Sequence, residues 1–244
     1  VTGTGFEGSS DRTDARDTGT AIHPYAAALF DLDGTLIDSG KDIVAAVRHA
    51  LGRILPGREQ PADEDILVLI GQPLESVVRA LAGDVDDEKV RRFAEDYRAY
   101  YAEHFNDNTR VYPGVRELLE MLRGSGVKLA LVTTKHQTQA EFTLAGSGLA
   151  GYFDYVHGWL EGRKHKPDPE PILIALRDLS VQPADAIMVG DSELDIQSAK
   201  AAGVCSCAVT YGFRPAWFLA SFHPDFLVAH PADIGPAVTA QDRD

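Results

Sequence analysis

Cysteine is nearly absent: the 244 residues contain two, Cys205 and Cys207, two positions apart. That spacing is too short for an ordinary structural disulfide, and no Cys/His cluster surrounds them to build a zinc site. The pair reads as two small side chains on one face of a strand, in a reduced, cytoplasmic protein. Positive charge is also scarce. Against 37 Asp and Glu stand 23 Lys and Arg, a formal net charge of -14, which argues against nucleic acid and anionic membranes as partners. A small phosphorylated molecule stays open as a partner, because a few local cations and a metal reverse the sign inside one cleft. No run approaches the roughly 20 apolar residues of a membrane-crossing helix. Residues 1–24 lack the basic start and apolar stretch of a secretory signal. Rich in Gly, Thr, Asp and Arg, they carry too few large apolar side chains to offset ordering entropy and are expected to form a disordered tail.

What is present is a set of short apolar runs without polar alternation: Ala26 to Phe30, Val127 to Thr133, Ala186 to Gly190, Cys205 to Thr210 and Asp225 to Val228. Strands covered on both faces, as in parallel sheets, have this pattern. Between them lie amphipathic helices. Pro113 to Leu122 aligns Val115, Leu118, Leu119 and Leu122, and Pro169 to Leu179 aligns Ile172, Leu173 and Leu176. Strands alternating with such helices predict an α/β fold, a doubly wound parallel sheet. From about Ser39 to Val111 the alternation stops, and helices are expected over Lys41 to Leu55, Gln72 to Leu81 and Asp86 to Phe105. The predicted organisation is a core over 25–39 and 112–244, interrupted by an all-helical cap over 40–111.

Ligands of such sheets bind outside the carboxyl ends of the strands. The first strand ends in Asp31 and Asp33, the second in Thr133, Thr134 and Lys135, and a later one in Asp191 and Asp195; Lys166 lies in a loop before a helix. Any one of these could cap a helix or face solvent. Together, acids crowded on one sheet edge repel one another unless a cation sits among them. An oxygen-only site with few protein ligands points to Mg²⁺, with Mn²⁺ able to substitute.

The stretch Asp31-Leu32-Asp33-Gly34-Thr35-Leu36-Ile37-Asp38-Ser39 resembles the first motif of the haloacid dehalogenase-like (HAD) hydrolase superfamily. Leu131 to Lys135 resembles the second, Lys166-Pro167-Asp168-Pro169 the third, and Gly190 to Asp195 the fourth, in order along residues 26 to about 235. The resemblance implies a Rossmann-like core and a role for each matched residue. Asp31 would attack phosphorus to form an acyl phosphate. Asp33 would protonate the leaving alkoxide and then activate water. Asp31, the backbone carbonyl of Asp33, and Asp191 would hold Mg²⁺. Asp195 would orient metal waters or Lys166. Thr133 and Lys166 would bind phosphoryl oxygens, with the backbone at Thr134 and Leu32 completing the cradle. Dehalogenases and phosphonate-cleaving relatives lack the acid at the Asp33 position, so Asp33 favours ester hydrolysis or phosphoryl transfer.

Finer matches resemble the phosphoglycolate phosphatase-like branch with its α-helical cap: Ile70-Gly71-Gln72-Pro73-Leu74, Tyr112-Pro113-Gly114-Val115, Val209-Thr210-Tyr211-Gly212, Pro224-Asp225-Phe226 and Pro231-Ala232-Asp233-Ile234. The sequence departs from that branch at Thr134, where Asn is usual. The implied activity is hydrolysis of a small phosphorylated metabolite by a monomer or homodimer. A phosphomutase acting on a sugar phosphate, and a non-catalytic binding protein, are the alternatives. Gly71, which has no Cβ, is a candidate substrate contact. Lys41 and Arg79 are further candidates that also read as ordinary exposed helix positions, and His136 adjoins the second motif.

Overall fold

Alternate residues of the first strand face opposite sides, and both sides are apolar, so the strand is covered twice. The computed structural model describes residues 25–239; the tail expected over 1–24 lies outside the described residues. In chain order the elements are β1 (Ala27–Phe30), β2 (Ile37–Asp38), α1 (Gly40–Ile54), α2 (Asp63–Leu67), α3 (Leu74–Ala82), α4 (Asp87–His104) and β3 (Arg110–Val111). There follow α5 (Val115–Gly124), β4 (Lys128–His136), α6 (Gln137–Gly146), β5 (Tyr155–Trp159), α7 (Glu170–Leu179) and β6 (Ala186–Gly190). The last are α8 (Glu193–Ala202), β7 (Cys205–Val209), α9 (Ala216–Ala220), β8 (Phe226–Val228) and α10 (Pro231–Thr239).

Six strands form one parallel sheet in the order β5-β4-β1-β6-β7-β8. Ala28 and Phe30 pack with Leu118, Leu119, Leu122, Leu144, Ile234 and Val238 of α5, α6 and α10. Ala27 and Leu29 pack on the other side with Ile172, Leu176 and Ala199 of α7 and α8. That is the two-faced burial required of a doubly wound sheet. β1 sits at the centre, where the strand order turns from β4 and β5 to β6, β7 and β8. The crevice at such a switch point opens above the carboxyl end of β1, immediately before Asp31.

Three strands escape the sequence pattern. β5, Tyr-Val-His-Gly-Trp, is an edge strand with mixed burial and no apolar run. β2 and β3 are two residues each and pair antiparallel, Ile37 with Val111 and Asp38 with Arg110; β3 falls inside the stretch expected to hold helices alone. The helices between them bury their own cluster, including Val44, Val47, Leu51, Ile66, Val78, Phe93 and Tyr101. Their ends agree with expectation to within a few residues, as helix termini usually allow. α4 begins after Asp86, whose side chain accepts the Lys89 N–H at 2.8 Å.

Candidate active site

Asp31 follows β1 directly, with its backbone N–H donating to Val189 O at 2.9 Å, which places it between the ends of β1 and β6. Gly34 then turns the chain at φ +84°. A Cβ there would collide with the Asp191 carboxylate, and one at Gly212 would meet the Asp191 side chain, so glycine at both positions leaves room for Asp191. Asp191 follows β6, accepts the Phe213 N–H at 2.8 Å and lies 3.4 Å from the Thr35 hydroxyl. Asp195, in the first turn of α8, accepts from the backbone N–H and hydroxyl of Ser192 at 3.1 and 2.6 Å. The helix-start role open to these residues is thus filled by Ser192 and Asp195, which leaves Asp191 facing the crevice.

Lys166 is 2% exposed and ends amid three oxygens. Its Nζ donates to Val132 O at 2.8 Å and Asp195 Oδ1 at 2.5 Å, and lies 3.0 Å from Asp31 Oδ1. Burial opposes its charge, but Asp195 and Asp31 outweigh burial and hold the ammonium above the usual lysine range. One cation does not balance the cluster. Burial, reinforced by Asp195 and Asp33 against the pull of Lys166, lifts Asp31 to about 6. Burial, then Asp31 and Asp195, lifts Asp191 to about 8. Although Lys166 is close, Asp31 Oδ1 has no hydrogen-bond partner of proper geometry among the described residues.

Oxygens of Asp31, Asp191 and Asp195 lie within 4.8 Å of one another. A buried, under-neutralised, oxygen-only trio with an orphaned carboxylate oxygen fits a hard divalent cation. With Asp195 already engaged by Lys166, Asp31 and Asp191 are the carboxylates free to hold one.

Asp33 belongs to a second assembly. Ser39 donates to its Oδ1 at 2.5 Å, and Lys135 Nζ reaches both carboxylate oxygens at 2.9 and 2.8 Å. The same Nζ donates to the Tyr101 hydroxyl at 2.8 Å and stands 4.6 Å from that ring's centre. Lys135 and Tyr101 had no role in the sequence reading. Lys135 could have been found, because it follows Thr133-Thr134 at a strand end; Tyr101 could not, because it reads as one more aromatic at helical spacing. Thr133 is buried, and its Oγ1 accepts the Lys135 N–H at 3.2 Å.

Two connected spaces adjoin these groups. The smaller, about 10 Å³, is lined by Asp31, Lys166, Asp191 and Ser192; the larger, about 480 Å³, runs among the helices. Asp33, Ile70, Gly71 and Thr134 line both, so Gly71 stands at their junction. His136 lines the larger one, edge-on to Trp159 at 6.1 Å. Lys41 and Arg79 line neither. Lys41 is exposed, and Arg79 is bound to Glu75 at 3.2 Å, Asp87 at 2.8 Å and Val85 O at 2.8 Å. Arg214, also unforeseen, is buried and ties the helices to the sheet edge, donating to Leu67 O, Ile70 O and Glu193 at 3.1, 2.7 and 3.2 Å.

The doubly wound sheet thus brings three acids and a buried lysine together at its switch point, the arrangement of a candidate catalytic site. The family model for haloacid dehalogenase-like hydrolases matches residues 28–209. The chain is 35% identical over 208 residues to pyrophosphatase PpaX of Bacillus velezensis, covering 85% of this chain and 94% of the relative. It is 39% identical over 196 residues to a phosphoglycolate phosphatase of Nitrosospira multiformis, covering 78% and 86%. The crystal structure of a predicted phosphatase from Clostridium acetobutylicum superposes with a TM-score of 0.80 at 29% identity, over 88% of this chain and 98% of that one. The chain belongs to the haloacid dehalogenase-like hydrolases.

Proposed function

We propose that this protein is a Mg²⁺-dependent, cytoplasmic phosphatase that hydrolyses a small phosphate monoester through an aspartyl-phosphate on Asp31. The observation that carries this reading is the placement of Asp31. It is buried at the switch point, has one carboxylate oxygen free of hydrogen bonds, and lies 3.0 Å from a lysine ammonium.

An Asp31 oxygen attacks phosphorus in line, and the ester oxygen leaves as the new acyl-phosphate bond forms. Asp33 supplies the proton that the leaving alkoxide needs and later takes one from the water that attacks the intermediate. Lys135 and Ser39 hold the ionised Asp33 carboxylate for the step in which it takes the proton from water. Lys166 meets the charge that spreads over the phosphoryl oxygens, and Asp195 holds Lys166 in position from below. Thr133 and the backbone near Thr134 and Leu32 complete the phosphate cradle. Asp31, the Asp33 carbonyl and Asp191 would hold the Mg²⁺, which supplies charge to offset repulsion between a carboxylate nucleophile and a phosphate dianion.

Residues 40–111 serve as a cap. The space at Asp31 has room for about one water, so Ile70 and Gly71 must lift before a phosphoryl group is admitted. Closing them again excludes bulk water from the chemistry. The relatives named pyrophosphatase and phosphoglycolate phosphatase support a phosphorylated small molecule as the substrate of this chain.

The test is phosphate release from phosphoglycolate, pyrophosphate, sugar phosphates and p-nitrophenyl phosphate, with Mg²⁺ and with EDTA. Metal-dependent release that disappears in Asp31→Asn is the expected result. Turnover that persists in Asp31→Asn removes Asp31 as the nucleophile. Slow release that a sugar bisphosphate accelerates would instead indicate a phosphomutase.

A further inference from the structure

The larger space continues directly from Asp33, the group that meets the leaving oxygen in the mechanism above, so it lies where the rest of the substrate must go. At about 480 Å³ it is in the range of pockets that enclose whole ligands of roughly 300–1,000 Å³. The two-carbon glycolate group would leave most of it unfilled.

Its walls are apolar over most of their area, with Gln72, Gln139, His136 and His165 supplying polar positions. Ile43 and Val47 of α1, Leu74 of α3, Val90 and Tyr97 of α4, and Trp159 of β5 line it. The cations on its boundary are engaged or wet. Lys135 is paired with Asp33, Arg91 with Glu88 and Glu95, and Arg98 is exposed on α4. Glu75 and Glu95 also line it, paired with Arg79 and Arg91. A carboxylate or second phosphate on the leaving group would therefore enter a mostly apolar chamber whose buried lysine, Lys135, is already paired with Asp33. An apolar group would shed water there at no such cost.

We infer that this chamber selects phosphate monoesters whose leaving alcohol carries a ring-sized or extended apolar body, held between α1, α3, α4 and Trp159, with the ester oxygen at Asp33. The inference rests on the proposed phosphatase reading and narrows its substrate class. Each methylene that the chamber buries raises affinity about fourfold, so selectivity should climb with alkyl length until the chamber is full.

The experiment compares kcat/KM for ethyl, n-hexyl and benzyl phosphate with phosphoglycolate and pyrophosphate, all with Mg²⁺. Ethyl and hexyl leaving groups have nearly the same basicity, so their difference reads binding rather than leaving-group chemistry. Hexyl and benzyl phosphate are expected to exceed ethyl phosphate and phosphoglycolate at least tenfold. In Val90→Trp, which fills the chamber from α4, the hexyl-to-ethyl ratio should fall toward one. Calorimetry of benzylphosphonate, an uncleavable analogue, should show the same loss in this variant. Equal rates for ethyl and hexyl phosphate, or a preference for phosphoglycolate or pyrophosphate, would overturn the inference while leaving the phosphatase reading intact. An unchanged ratio in a folded Val90→Trp would mean that the chamber is only a packing gap, and would overturn it too. Turnover that survives in Asp31→Asn would instead bring down the phosphatase reading and the inference together.

Discussion

Two lysine–carboxylate assemblies share one sheet edge, and they differ in what holds them. Lys166 is surrounded by Asp31, Asp195 and Val132 O, all contributed by the sheet and by α8 beside it. Lys135 reaches Asp33 on one side and Tyr101 of α4 on the other, so part of its setting comes from the inserted helices. The first assembly is complete whatever the helices do. The second also needs Tyr101 of α4 in place. In the proposed mechanism the first assembly holds the nucleophile and the second holds the acid, and the two settings follow that division.

The sharpest way to break this comparison is at its centre. Asp31→Asn should reduce turnover more than about a thousandfold, read as phosphate release under saturating substrate. Lys166→Met should cost roughly 10²–10³ in kcat, as removal of a donor to developing charge does, and should leave an unpaired Asp195 that lowers Tm. Lys135→Met should slow turnover less, with the loss concentrated in kcat because Asp33 is left misaligned. Tyr101→Phe removes one hydrogen bond, worth about 0.5–1.5 kcal/mol, and should change kcat only several-fold. An equal loss in Tyr101→Phe and Lys166→Met would erase the distinction between a self-contained and a shared assembly.

The pH dependence of stability separates them again, by a smaller effect. The folded-state values of Asp31 and Asp191 are raised from 3.8 to about 6 and about 8. Between those limits the folded protein binds protons that the unfolded chain has lost, so folding stability falls as pH rises. In EDTA, Tm should decline from about pH 5 to about pH 8. Added Mg²⁺ should bind the folded, ionised form and raise Tm, with a gain that grows as pH rises. Asp191→Asn should flatten the EDTA profile and reduce the Mg²⁺ gain, checked by differential scanning calorimetry.

The catalytic edge was legible in the sequence because parallel strands place their chemistry at a fixed point, the residue after an apolar run. Asp31 after Phe30 and Asp191 after Gly190 could be read in that way. The buried alternation of Ala27, Ala28, Leu29 and Phe30 gave the sheet. β5 was not legible, because Tyr155 to Trp159 is a half-buried edge with a polar histidine and a glycine. The glycine is required by a close approach, since a Cβ at Gly158 would strike the backbone of Gln137. Contacts between the inserted helices and the sheet edge were equally hidden. Tyr101 with Lys135, and Arg214 with Ile70 O, join residues 34 and 144 positions apart through tertiary placement that no local period encodes. Nothing but charge singles out Lys41 and Arg79 in the sequence. Charge on an amphipathic helix more often faces water than substrate, and both line neither space.

The short ribbon of β2 and β3 gives the molecule an interchangeable part. The chain leaves for the helices at Asp38 and returns at Arg110, and these two residues face each other across one antiparallel rung. A two-residue hairpin turn spans such a gap, so the intervening helices can be exchanged for another insert, or spliced out, without altering how β1 pairs with β4 and β6. An exchanged insert would keep the pairing of the central strands but would have to replace the Tyr101 hydroxyl that Lys135 meets.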